Sequence, residues 1–131
     1  MSGTENAIED SLRRLAKKSG LSLFGLPASD RDAILSACQQ FCRSKPFPVG
    51  ERGFTSYIQE WLDRTRGFIR TDPAELRRTL VDLAFLRRDP AGTTYTLGQQ
   101  LAAASPDLTE MIVAVREEVR EERERRKAAR R

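Results

Sequence analysis

Apolar residues recur at helical spacing in five stretches of this 131-residue chain. The first, Glu5 to Ser19, carries Ile8, Leu12 and Leu15 on one stripe and leaves Arg13, Arg14, Lys17 and Lys18 largely outside it. Gly20 predicts its stop, and Leu21 to Leu26 reads as a short apolar connector. After Pro27, Ser29 or Asp30 is expected to cap a second helix ending near Arg43, with Ile34, Leu35, Ala37, Cys38, Phe41 and Cys42 on one arc. Two prolines and two glycines make Ser44 to Gly53 an expected irregular loop. Helical spacing resumes through Phe54, Tyr57, Ile58, Trp61 and Leu62 to Arg64; Gly67 breaks it, and Phe68 and Ile69 are expected to pack inward.

The stretch from Asp72 to Leu97 carries the clearest local signals. Asp72 can accept the free amides of a first helical turn, Pro73 suits the first helical position, and Leu76, Leu80 and Ala84 recur at i+4. Leu83 and Val81 extend that arc. Beyond it the pattern changes to Phe85-Leu86-Arg87-Arg88, the turn residues Asp89, Pro90 and Gly92, then Thr93, Thr94, Tyr95 and Thr96. A helix running into a β-hairpin is predicted. Helix, short turn, helix and hairpin together predict a mainly α fold: a winged helix-turn-helix with a small β-hairpin wing, an N-terminal helix and a long charged C-terminal helix.

Three segments follow: an N-terminal amphipathic helix over 1–23, the winged unit over 24–98, and a C-terminal helical extension over 99–131. The last is expected to begin with a small alanine-rich helix and to restart at Ser105 and Pro106. Leu108, Met111, Ile112, Val115 and Val119 then share a stripe, so its first half should pack and its second half project.

Composition narrows the function. The length suits one domain with a modest core. Hydrophobic residues are 39% and charged ones 32%, so part of the chain should be solvated or bound to a partner. Of the formal net charge of +4, three units lie after Val115, where eight basic residues face five acidic ones. No apolar run reaches the roughly 18 residues of a membrane span, and no basic-then-apolar leader opens the chain, so a cytoplasmic protein without a membrane partner is expected.

Cys38 and Cys42, the two cysteines, are spaced i,i+4 and read as core residues; a zinc site would need ligands from a second subunit. The chain has no histidine, no glycine-rich phosphate loop and no nucleophile with a partner base. No enzyme, metal or cofactor is expected.

Seven arginines lie between Arg64 and Arg88 against three carboxylates. Helical phase puts Arg77 inside the apolar arc, where it needs a partner, so Asp72, Pro73, Arg77 and Asp82 are assigned to structure. Arg78 points outward with Ala74, Glu75 and Thr79, and Asp82 at i+4 can pair with it. Candidate DNA contacts are therefore Arg78, Ala74 and Thr79 on the helix, Arg87 and Arg88 on the hairpin, and Lys45 and Arg52 in the preceding loop. A solvated rim around a small hairpin is the alternative for the arginine pair.

The tail, Glu117 to Arg131, alternates sign at helical spacing and describes a self-supporting exposed helix. It reads as a homodimer or protein-partner arm through the Leu108 to Val119 stripe, or as a basic extension gripping nucleic acid; the stripe is short for a coiled coil and suits packing on the parent domain. The function expected is a small bacterial DNA-binding or transcription-associated protein engaging double-stranded DNA. The alternative is a winged helix used for protein-protein contact.

Asp72, Leu76-Arg77-Arg78, Leu80-Val81-Asp82, Leu86, Arg88, Gly92 and Tyr95, with weaker matches back to Phe24, resemble an uncharacterised bacterial domain family that also occurs appended to ArsR-type transcriptional regulators. The resemblance implies a winged-helix-like fold and an association with bacterial gene regulation, with no established activity.

Overall fold

The computed structural model describes residues 3–98 and 107–130, and the side chains from residue 7 onward within them. Its elements run α1 (Gly3–Leu15), a 3-10 turn (Leu23–Gly25), α2 (Ala28–Arg43), β1 (Val49–Gly50), α3 (Glu51–Arg64), α4 (Pro73–Asp82), β2 (Leu86–Arg88), β3 (Thr94–Leu97) and α5 (Leu108–Ala129). The fold is mainly helical, with a three-stranded antiparallel sheet in the order β1-β3-β2.

One core joins these elements. Leu12 and Leu15 of α1, Ile34, Leu35 and Cys38 of α2, Phe54, Ile58 and Trp61 of α3, Leu76 and Leu80 of α4, and Leu108 and Ile112 of α5 are all buried. The apolar stripes read from the sequence supply this core. Cys42 is buried with Cys38, and the Cys38 thiol is pushed up in pKa by its hydrogen bond with Cys42 and then by burial. The pair behaves as two small apolar side chains. Among the described residues no group of three or more His, Cys, Asp or Glu could hold a metal ion, and no helix is long and apolar enough to cross a membrane.

Several boundaries differ from the sequence reading. Neither Ser29 nor Asp30 caps α2: Pro27 takes the N-cap position, and Asp30 is buried in the first turn against the guanidinium of Arg14. A buried carboxylate gains more from a cation on α1 than from capping its own helix. The loop before α3 contains the strand β1, paired Val49 to Tyr95 and Gly50 to Thr94, and α3 starts at Glu51. Arg52 therefore lies in the first turn of α3, not in a loop.

The end of α4 is the largest departure. Asp72 caps its start, accepting the Glu75 amide at 2.8 Å. The helix then stops at Asp82, and Ala84 adopts φ +66° instead of extending the apolar arc. The Ala84 amide bonds to the Val81 carbonyl at 3.1 Å and the Phe85 amide to the Leu80 carbonyl at 2.8 Å, a Schellman closure with alanine where glycine is usual. Leu83 is left 37% exposed while Phe85 and Leu86 turn into the core.

At the other end of the chain α5 is capped by Asp107, which accepts the Glu110 amide. The expected alanine-rich helix and the Ser105-Pro106 start lie outside the described residues. Trp61 donates its indole N–H to Thr109 at 3.0 Å, and the Leu108 amide donates to Gln40 Oε1 at 2.7 Å, fixing the first turns of α5 to α3 and α2. From Arg120 onward every described residue of α5 is exposed.

Candidate nucleic-acid interface

Strand pairing gathers the start of α3 and the hairpin at one end of the molecule. Tyr95 stands between Val49 of β1 and Arg88 of β2, and Thr94 is paired with Gly50. Arg52 follows Gly50 by two residues in the first turn of α3. The N-terminal end of α3 thus abuts the hairpin because a two-residue strand leads directly into the helix.

The hairpin turn is built by Asp89. Its carboxylate accepts the amides of Thr93 at 2.6 Å and Thr94 at 3.1 Å and the Thr93 hydroxyl at 2.9 Å. These bonds, the Thr94 amide first and the Thr93 hydroxyl next, hold the Asp89 pKa below its usual range. Gly92, at φ +72°, completes the reversal, where a side chain would be strained.

Arg77 reaches from α4 to the first turns of α3. Its Nη2 lies 2.9 Å from Glu51 and its Nη1 donates to Thr55 Oγ1 at 2.8 Å, with only 13% of the side chain exposed. Both of its terminal nitrogens are engaged on α3, so it holds α4 on α3 rather than presenting a charge to a ligand.

The remaining candidates divide in two. Arg52, Arg78, Arg87 and Arg88 are exposed, and none has a carboxylate within ion-pair distance among the described residues. Arg78 and Asp82 do not form the i,i+4 pair that their spacing allows. Arg88 only touches the Gly92 carbonyl, at 3.4 Å. Of the carboxylates near them in sequence, Glu51 is engaged by Arg77, Asp89 by the turn and Glu75 by the Thr71 hydroxyl at 3.1 Å, while Asp82 is exposed and contacts none of these arginines.

Lys45, by contrast, is neutralised. Its ammonium pairs with Glu60 and sits 5.3 Å from the Phe41 ring centroid. Ala74 and Thr79 are half-buried, and the Thr79 hydroxyl donates back to the Glu75 carbonyl at 3.0 Å, which leaves it no free donor. Lys45, Ala74 and Thr79 therefore do not join the exposed arginines.

One residue escaped the sequence reading. Arg116 of α5 donates to the carbonyls of Lys18 at 2.7 Å, Ala16 at 3.3 Å and Arg66 at 2.8 Å and to the Ser19 hydroxyl at 3.1 Å, and it lies 5.8 Å from the Phe68 ring centroid. It ties α5 to the turns after α1 and α3. The signal was available: Arg116 falls beside Ile112 on the buried arc of its helix, by the phase argument that placed Arg77 inward.

The class defined by this geometry is a mainly helical domain with a small antiparallel sheet, carrying exposed, unpaired arginines on α3, α4 and β2. The chain belongs to an uncharacterised protein family conserved in bacteria, DUF2087, whose model matches residues 29–97. The matched segment runs from α2 through β3 and leaves α1 and α5 outside. Comparison with curated proteins and comparison with solved structures each gave no match.

Proposed function

We propose that the chain is a winged helix-turn-helix protein that binds double-stranded DNA and acts in bacterial transcription. The order helix, strand, helix, helix, strand, strand, with β1 added to the edge of the hairpin, supports the winged reading: α3 and α4 form the helix-turn-helix, and β2 and β3 the wing.

The single observation that carries the DNA reading is the set of exposed, unpaired arginines Arg52 on α3, Arg78 on α4, and Arg87 and Arg88 on β2, elements that pack on one another. Unpaired guanidinium groups are the donors that phosphate oxygens and guanine edges accept. With Arg77 turned inward and Asp82 on the exposed side, α4 offers one strong donor. Phosphate contact by wing and helix start is accordingly the main source of affinity, and base readout the lesser one. Titration of a labelled duplex with the full chain, comparing Arg78→Ala and the double variant Arg87→Ala plus Arg88→Ala, tests this; loss of affinity supports it, and unchanged binding contradicts it.

A second reading, a winged helix used for protein contact, is favoured by one observation: Phe24, on the turn before α2, is 79% exposed. Exposed aromatic side chains commonly anchor interfaces. A partner lost on Phe24→Ser with duplex binding absent would select it.

A further inference from the structure

The buried face of α5 does not end where the domain ends. At 3.6 residues per turn, Arg116, Arg120, Arg123, Lys127 and Arg130 fall within an arc of about 80° that prolongs the face bearing Thr109 and Ile112. The carboxylates Glu117, Glu118, Glu121, Glu122 and Glu124 lie outside this arc. The side of the helix that packs on the core at its start thus becomes a row of cations where it leaves the core.

That row roofs a cleft of about 560 Å³, whose other wall is the end of α3 and the turn after it, with Arg64, Thr65 and Arg66, and the turn after α1, with Ser19. Six cations and two carboxylates line it. Arg64 is bound to Glu110 and Arg120 to Glu117, but Arg66, Arg123 and Lys127 have no ion-pair partner among the described residues. Desolvation, and then the positive charge of Arg123, lower the Arg116 pKa. Six cations against two carboxylates leave an excess of positive charge, which a bound anion relieves. Backbone geometry fixes the wall: Arg66 is held at φ +43°, and its carbonyl is gripped by Arg116.

We propose that this cleft and the basic underside of α5 form a second nucleic-acid surface, which tracks the phosphates of one strand without reading sequence. The row extends about 21 Å with a cation every three or four residues, a linear array suited to a linear polyanion rather than to a single small phosphate. It lies at the far end of α3 from Arg52, about 18 Å along the helix. The surface therefore adds to the winged contact, sharing its ligand class but none of its residues.

The test is fluorescence anisotropy of a labelled 25-base-pair duplex of arbitrary sequence, titrated with the full chain from 50 to 300 mM salt. The variant Arg123→Gln plus Lys127→Gln is compared with Arg78→Ala plus Arg87→Ala plus Arg88→Ala. Both altered positions on α5 are exposed, and circular dichroism with a melting curve verifies that the helix persists. The proposal predicts that the α5 variant weakens binding at least about tenfold at 0.1 M salt and flattens the log–log salt dependence by about 1.8.

The same weakening with an unaffected triple variant would support the cleft while removing the winged contact. Unaltered affinity and slope in the α5 variant, with weakening in the triple variant, would overturn the cleft and leave the winged contact standing. Retention on anionic vesicles or by pyrophosphate with no duplex binding would overturn it as well.

Discussion

The Arg77 guanidinium on α4 lies 2.9 Å from the Glu51 carboxylate in the first turn of α3 and also donates to Thr55. The most central basic residue of the helix-hairpin segment is thereby a strut, and the adjacent Arg78 is left as the solvent-facing donor. Arg77→Ala should cost about 1–2 kcal/mol in urea unfolding, with the exposure of Glu51 already discounted. Arg77→Lys should recover only part of that, because a single ammonium cannot span both acceptors. Unchanged stability in Arg77→Ala would remove the strut.

Ala84 holds a left-handed conformation at φ +66° in an exposed helix end. An L side chain there costs about 1–2 kcal/mol relative to glycine. Ala84→Gly should raise the unfolding free energy by several tenths to about 1 kcal/mol, after the larger entropy loss of glycine is subtracted. Ala84→Val should destabilise. A neutral glycine variant would mean that the closure of α4 is not strained.

The pH dependence of the hairpin follows from Asp89. Its pKa is lowered in the fold by the bonds from Thr94 and Thr93, so the stabilisation is present above the unfolded carboxylate's value. It is lost as pH falls through the lower folded value. The amide resonances of Thr93 and Thr94 should therefore shift together on acidification below the usual aspartate range. Asp89→Asn should lose that response; persistence of the same transition in this variant would assign it elsewhere.

Removing the Thr109 hydroxyl leaves the buried Trp61 N–H without its acceptor. Thr109→Val should cost about 1–3 kcal/mol and shift the tryptophan emission. Arg116→Ala should instead release the start of α5 from the turns after α1 and α3, raising amide exchange around Ile112 while the sheet stays protected. Uniform exchange across the whole chain would show that α5 is no separate unit.

How much of this was legible depended on the range of the interactions. The start of α4 is written locally in Asp72 and Pro73, and the core stripes of α1, α2, α3 and α5 in their periodicity. The end of α4 is not local: alanine gives no stop signal, and the turn is closed by burial of Phe85 and by Gly98, whose amide bonds to the Phe85 carbonyl and where a side chain would meet the Ala84 carbonyl. β1 is two residues long and exists through pairing with Tyr95, a partner 46 positions away. The same distance effect removed Lys45 from the arginine cluster, since its neutralising Glu60 lies one helix further on. Helical phase picked out Arg78, and strand alternation required only one of Arg87 and Arg88 to reach solvent, whereas both do; their lack of partners depends on where Glu51, Glu75 and Asp89 are engaged and on Asp82 not reaching Arg78.

The central claim is that the arginines at the junction of α3, α4 and the hairpin grip duplex DNA. The most direct measurement is the salt dependence of duplex affinity for the full chain and for Arg78→Ala plus Arg87→Ala plus Arg88→Ala. The account predicts measurable binding at 50 mM salt that falls steeply as salt rises, with the slope reduced by up to about 2.7 in the triple variant. No binding at 50 mM salt, or identical affinity and slope in the two proteins, would contradict it.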